Sequence, residues 1–175
     1  KNRYIGRTFL MPGQSIRKDS VKKKLNTIEE EFTGKTVMIV DDSIVRGNTS
    51  RRIVEMAKQA GARQVYFASS APPIVHPNVY GIDMPAREEY VAHDRTIDEI
   101  RETIGADWLI YQELPDLIEA CLGAGGHNLV NFDCSCFNGV YVTGGITEEY
   151  LARIGGARSD AAKSESSVEH ADAAE

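Results

Sequence analysis

Apolar positions along the chain change their spacing several times, and each change marks an element. Val37-Met38-Ile39-Val40 is an unbroken apolar run ended by Asp41 and Asp42, the pattern of a buried strand with carboxylates at its carboxyl end. Ile53, Met56, Ala57 and Ala60 then fall at i, i+3, i+4 and i+7, one face of a helix, and Gly61 follows as its stop. Val65-Tyr66-Phe67-Ala68 reads as a second strand, which makes a βαβ unit with parallel strands and a right-handed crossover. Thr96 and Glu99 form a capping box ahead of Ile97, Ile100 and Ile104, Gly105 ends that helix, and Trp108-Leu109-Ile110-Tyr111 supplies a third strand. Leu114, Leu117, Ile118, Cys121 and Leu122 continue as a regular helical stripe that predicts a core position for Cys121. Val140-Tyr141-Val142-Thr143 resumes strand character, and Thr147 with Glu148 and Glu149 caps a last short helix carrying Tyr150, Leu151 and Ile154. Beyond Gly155-Gly156 the one large aliphatic residue is Val168, so residues 157–175 cannot offset their ordering entropy and are expected to form a disordered tail. The class is α/β, a parallel sheet flanked by helices.

The end of the first strand carries the chemistry. In an open parallel sheet, ligands collect outside the carboxyl ends of the strands, where a helix amino terminus offers unpaired N–H groups and positive dipole charge to a phosphate. Asp41 and Asp42 are placed to meet sugar hydroxyls or a divalent ion, Gly47 to let the backbone approach an anion, and Thr49 and Ser50 to add hydroxyl donors. The implied ligand is a sugar phosphate.

The run Val37 to Ser50 resembles the phosphoribosyl pyrophosphate motif of the type I phosphoribosyltransferases, a hydrophobic strand, two acids and a phosphate loop. Three further segments, Arg7-Thr8-Phe9-Leu10-Met11-Pro12-Gly13-Gln14, Asn78-Val79-Tyr80-Gly81-Ile82-Asp83-Met84-Pro85 and Phe137-Asn138-Gly139-Val140-Tyr141, resemble the glutamine phosphoribosylpyrophosphate amidotransferase family, and the likeness runs from Lys1 to about Gly156. It implies a type I phosphoribosyltransferase-like sheet over residues 1–156, incomplete at its amino terminus, and transfer of a phosphoribosyl group to ammonia to give phosphoribosylamine and pyrophosphate, the first step of purine synthesis. By the same resemblance Asp41 and Asp42 hold ribose hydroxyls and the Mg2+ shell. Ser43, Ile44, Val45, Arg46, Gly47, Asn48, Thr49 and Ser50 grip the 5′-phosphate. The segment 1–25 is a flexible loop closing over the substrate, with Arg17, Lys18, Lys22, Lys23 and Lys24 as its cation candidates. Tyr4, Phe9, Leu10 and Ile82 are candidates for a dry ammonia passage, although each is equally suited to ordinary core. Ammonia would come from an amino-terminal glutaminase domain whose nucleophile is a first cysteine, and no cysteine here occurs before Cys121, so the chain resembles the carboxyl-terminal acceptor half. Purine nucleotides are implied as inhibitors and a homo-oligomer as the assembly.

One branch of that family carries an iron-sulfur cluster, with a cysteine in the segment matching His76-Pro77-Asn78 and a Cys-x-x-Cys pair ending before Phe137. Those positions here read Asn78, Asp133 and Cys136, and one thiolate does not hold a cluster that takes four, so no cluster is expected. Cys134 and Cys136 with His127 form an alternative zinc set, at a spacing that structural zinc sites seldom use. Reduced thiols are the reading for an odd count of three.

Other classes compete for the acidic pair. A strand ending in two aspartates also opens phosphoacceptor receiver domains, and Asp83-Met84-Pro85 imitates their acceptor site. A receiver needs a lysine on a later strand, however, and the one lysine after Lys58 is Lys163, in the polar tail. A regulator that senses phosphoribosyl pyrophosphate without catalysis would need a DNA-binding element, and no helix-turn-helix with a basic recognition face occurs here. Gly123-Ala124-Gly125-Gly126 follows a helix and completes neither nucleotide-loop pattern, so it is a connection.

Charge narrows the partners. Residues 1–25 hold eight Lys or Arg against Asp19 alone, a local +7; since the whole chain carries −6, the other 150 residues carry −13. No aromatic residues lie between Arg17 and Lys24, and the remaining surface repels a polyanion, so the basic cluster suits a small anion such as pyrophosphate and not nucleic acid. With 42% hydrophobic residues and no apolar run near the roughly 20 residues of a membrane span, the expectation is one domain, no membrane and the cytoplasm.

Overall fold

Three parallel strands end on one edge, and everything that bears on the candidate site hangs from that edge. The computed structural model describes residues 29–124 and 128–158. In chain order these are α1 (Glu29–Phe32), β1 (Thr36–Asp41), α2 (Asn48–Gln59), β2 (Gln64–Ser69), a 3-10 turn (Arg87–Glu89), α3 (Ile97–Ile104), β3 (Trp108–Tyr111), α4 (Leu114–Gly123), α5 (Ser135–Asn138) and α6 (Glu148–Arg158). The sheet order is β1-β2-β3, and Asp41, Ser69 and Tyr111 stand in one row at the carboxyl edge.

The predicted strands and helices all form except one strand, and their packing explains the sequence pattern. Val65 and Phe67 of β2 and Leu109 of β3 point to the face covered by α2 and α3, where Val54, Ala57, Ile100 and Ile104 complete the core. The capping box is present in full: the Thr96 Oγ1 accepts the Glu99 N–H at 3.3 Å and the Glu99 carboxylate accepts the Thr96 N–H at 2.7 Å. Lys58 on α2 reaches across to donate to the carbonyl of Gly105 at 2.8 Å, and the Asp107 carboxylate accepts the Val65 N–H at 2.8 Å. That backbone hydrogen bond is the main reason the Asp107 carboxyl sits below its ordinary range.

Several expectations are corrected. β1 is covered on one face only, and there in part: Val37 and Ile39 are half-buried against the core, whereas Met38 is 57% and Val40 65% exposed. Successive side chains of a strand point to opposite faces, and the helices among the described residues cover just one of them. The helical stripe of α2 is turned slightly from the sequence reading, with Val54 fully buried and Met56 half-buried. Cys121 is exposed: the stripe of α4 is covered only in part, with Leu114, Leu117 and Ile118 half-buried and Cys121 and Leu122 on its exposed side. Val140 to Thr143 form no strand. Val140 and Val142 are exposed, the Val140 N–H is taken by Asn138 Oδ1, and Tyr141 is tied by its hydroxyl to the Pro77 carbonyl at 2.8 Å, contacts that stand in place of a strand ladder. α6 also runs past Gly155-Gly156 to Arg158, and Thr147 caps it by accepting the Tyr150 N–H at 3.2 Å.

Candidate active site

The loop between β1 and α2 is tied down at nearly every residue. The Asp42 N–H donates to Asp41 Oδ1 at 3.1 Å, Ser43 Oγ donates to Asp42 Oδ1 at 3.3 Å, and the Asp41 carbonyl accepts the Ser70 N–H at 2.9 Å. Asp42 is exposed at the carboxyl edge. Ile44 is inserted in the core, which leaves its backbone as the part that can face a ligand. Val45 packs on a second small core around Tyr90, Met84 and Ile74. Arg46 Nε pairs with Glu89 Oε2 at 2.6 Å.

Gly47 is the N-cap of α2 with φ of 76°, a left-handed conformation that favours glycine. A Cβ there would lie 2.9 Å from Val91 Cγ2, so the missing side chain faces the core. Packing and φ, and not clearance for an anion, are what require glycine. Among the described residues no side chain caps α2, and no acidic residue occupies its first turn, unlike α3, whose first turn holds Asp98 and Glu99 behind the Thr96 cap. An N-terminus left in this state presents its first amides and positive dipole end to an anion. Asn48 is exposed, Thr49 half-buried and Ser50 buried, so Thr49 is the more accessible of the two hydroxyl side chains.

The acidic pair has the chemistry of a Mg2+ site: hard carboxylate oxygens at an open edge, beside a phosphate-suited helix end. Mg2+ ordinarily takes one or two carboxylates together with substrate phosphates. Among the described residues no group of three His, Cys, Asp or Glu side chains is arranged to hold a metal on its own. His127 of the zinc alternative lies outside the described residues. So do the loop cations Arg17, Lys18, Lys22, Lys23 and Lys24, and the passage candidates Tyr4, Phe9 and Leu10. Ile82 is 57% exposed in the loop after Asn78.

The positions compared with cluster ligands come together, but as a turn anchor. Asn78 is buried and its Oδ1 accepts the N–H groups of Tyr80 at 2.8 Å and Ile82 at 3.1 Å. Asp133 Oδ1 accepts the Ser135 N–H at 3.0 Å at the start of α5. Cys136 Sγ lies 3.8 Å from Met84 Sδ, and burial pushes its thiol up despite a hydrogen bond with Asn78. An amide and a carboxylate already engaged with backbone, beside a thiol biased toward its protonated form, do not fit a thiolate cluster. Nearby, burial first and the Arg87 guanidinium second hold His76 below its ordinary value, which favours a neutral ring at neutral pH.

No family model matches the chain. The amidophosphoribosyltransferase of Pseudomonas aeruginosa is 59% identical over 166 residues, 95% of this chain and 33% of that protein. That of Escherichia coli is 56% identical over 163 residues, 93% of this chain and 32% of that protein. The solved glutamine phosphoribosylpyrophosphate amidotransferase from B. subtilis, complexed with ADP and GMP, matches with a TM-score of 0.64 at 44% identity, covering 81% of this chain and 31% of that one. The chain belongs to the amidophosphoribosyltransferase family. It spans about a third of the length of the curated relatives it matches, and its parallel sheet flanked by helices is of the type I phosphoribosyltransferase kind.

Two residues that hold the β1–α2 loop in place escaped the sequence reading. Glu89 and Val91 sit in the connection after β2, where no periodicity marks them and where their partners are more than 40 positions away in sequence. Only their contacts reveal them.

Proposed function

We propose that the full-length protein transfers the phosphoribosyl group of phosphoribosyl pyrophosphate to ammonia, forming 5-phosphoribosylamine and pyrophosphate, with the ammonia drawn from glutamine by a glutaminase domain. The observation that carries this is the pairing, on one loop, of two carboxylates with a helix N-terminus that no side chain among the described residues caps and that lacks acidic residues in its first turn. The amides of Asn48, Thr49 and Ser50 suit the 5′-phosphate, while Asp41 and Asp42 suit the ribose hydroxyls and Mg2+. When bound, Mg2+ would supply charge neutralisation to the departing pyrophosphate. Breaking the anomeric C–O bond builds positive charge on the ribose, and the Asp41–Asp42 pair supplies negative charge at the sheet edge where that sugar would lie. A homo-oligomeric assembly, inhibition by purine nucleotides and a cytoplasmic setting belong to the same reading.

The test is direct. Full-length protein given phosphoribosyl pyrophosphate, Mg2+ and ammonium should release pyrophosphate in step with phosphoribosylamine. Failure to release pyrophosphate, with the protein folded, would sink the assignment.

The reading includes the absence of an iron-sulfur cluster, supported by the engagement of Asn78 and Asp133 with backbone N–H groups. Anaerobically purified protein should contain iron and sulfide well below one equivalent per chain by elemental analysis. Stoichiometric iron with acid-labile sulfide would place the protein in the cluster-bearing branch.

A further inference from the structure

One short segment braces three consecutive residues of the phosphate loop. The Val91 N–H donates to the Val45 carbonyl at 2.8 Å, Glu89 Oε2 accepts from Arg46 Nε at 2.6 Å, and the Val91 side chain fills the space beside Gly47. The segment is itself anchored. The 3-10 turn Arg87–Glu89 is closed by the Glu89 N–H on the Ala86 carbonyl and the Tyr90 N–H on the Arg87 carbonyl, both at 3.0 Å, and Ala86 and Tyr90 are buried on either side. Glu89 thus rides on a fixed turn and reaches into a loop.

The ion pair is largely sealed from water, with the Arg46 side chain 12% and the Glu89 side chain 24% exposed. Glu89 Oε1 is buried with no hydrogen-bond partner among the described residues. Taking a carboxylate out of water with one oxygen unmatched is costly, and an ion pair so placed is a weak source of stability. What it does supply is direction: a charge-assisted bond of this length fixes where the guanidinium, and therefore the backbone of residues 45–47, can lie.

We propose that Glu89 is a positioning residue for the phosphoribosyl pyrophosphate site, acting through Arg46 to hold the loop so that the first amides of α2 face the 5′-phosphate. This rests on the function proposed above. It adds a role for a residue outside the motif. Because the 5′-phosphate is gripped equally before and during bond cleavage, loss of the brace should weaken substrate binding and leave the chemical step nearly intact.

The experiment uses full-length protein, with pyrophosphate release followed at varied phosphoribosyl pyrophosphate and saturating ammonium and Mg2+. In Glu89→Gln, KM for phosphoribosyl pyrophosphate should rise about tenfold while kcat stays within about twofold, the size expected for losing one charge-assisted hydrogen bond. Arg46→Lys keeps the charge but not the Nε contact and should show the same split, which serves if Glu89→Gln does not fold. The double variant should be no worse than the weaker single one, since both remove one interaction. An unchanged KM in folded Glu89→Gln, a lower KM from a guanidinium released onto the phosphate, or additive effects in the double variant would each overturn the role while wild-type turnover stands. A folded wild type without turnover would remove the functional reading and this role together.

Discussion

Replacing Asp41 and Asp42 together by asparagine in the full-length protein should reduce ammonia-dependent phosphoribosylamine formation at least about a thousandfold, the scale on which removal of preorganised charge lowers turnover. The substitution is nearly isosteric. Asparagine Oδ1 accepts a hydrogen bond as carboxylate does, so residue 41 can still take the N–H of residue 42 and residue 42 the hydroxyl of Ser43, the two contacts that shape the start of the loop. The fold should therefore survive, with a thermal midpoint within a few degrees of wild type by the usual scaling for a surface change. What is lost is negative charge at an edge whose neighbour is the positive end of α2. A phosphate placed there still finds the amides, but the ribose hydroxyls lose their strongest acceptors and the metal its hard ligands. Pyrophosphate release and circular dichroism melting on the same sample check both halves. Turnover within tenfold of wild type would remove the acidic pair from the mechanism.

The motif was legible because it is local. A strand, two acids and a helix start within fourteen residues, and the chemistry of each part follows from backbone geometry that sequence alone dictates. The capping box at Thr96 and the three strands were readable for the same reason. Features that depend on what lies opposite were not. Met38 and Trp108 look like core and are exposed, because they stand in one row across the sheet face that the described helices leave open. Cys121 fits a regular stripe on a helix whose best-covered residues, Leu114, Leu117 and Ile118, are only half-buried among the described residues. Val140 and Val142 have strand propensity, but the Val140 N–H goes to Asn138 Oδ1 and Tyr141 is held by the Pro77 carbonyl. For Arg46 what the sequence hides is the partner of its Nε, Glu89, 43 positions away.

At Gly47 the sequence suggests room for an anion, whereas the structure shows a left-handed backbone and a packed core behind it, and the position gives the second large effect. Gly47→Ala should destabilise the full-length protein by about 2–4 kcal/mol, combining a left-handed backbone at about 1 kcal/mol or more with overpacking at about 1–3 kcal/mol. The first part follows from φ of 76°. The second follows from the 2.9 Å approach to Val91 Cγ2 and 3.4 Å to Ile104 Cγ2, groups packed in the main core that have little room to give. Gly34 separates the two. Its φ is 73° but nothing lies within 4 Å of a Cβ there, so Gly34→Ala should show the backbone part alone, about 1 kcal/mol. Adding Val91→Ala to Gly47→Ala vacates the space the new methyl needs, so the double variant should be less destabilised than the sum of the two single changes. In the same samples Gly47→Ala should raise KM for phosphoribosyl pyrophosphate, because the strain falls on the residue from which α2 starts and whose carbonyl accepts the Arg51 N–H at 2.8 Å. Chemical denaturation of the four variants measures the stabilities. Equal losses for Gly47→Ala and Gly34→Ala would mean that the core has room for the methyl and that backbone conformation alone explains the glycine.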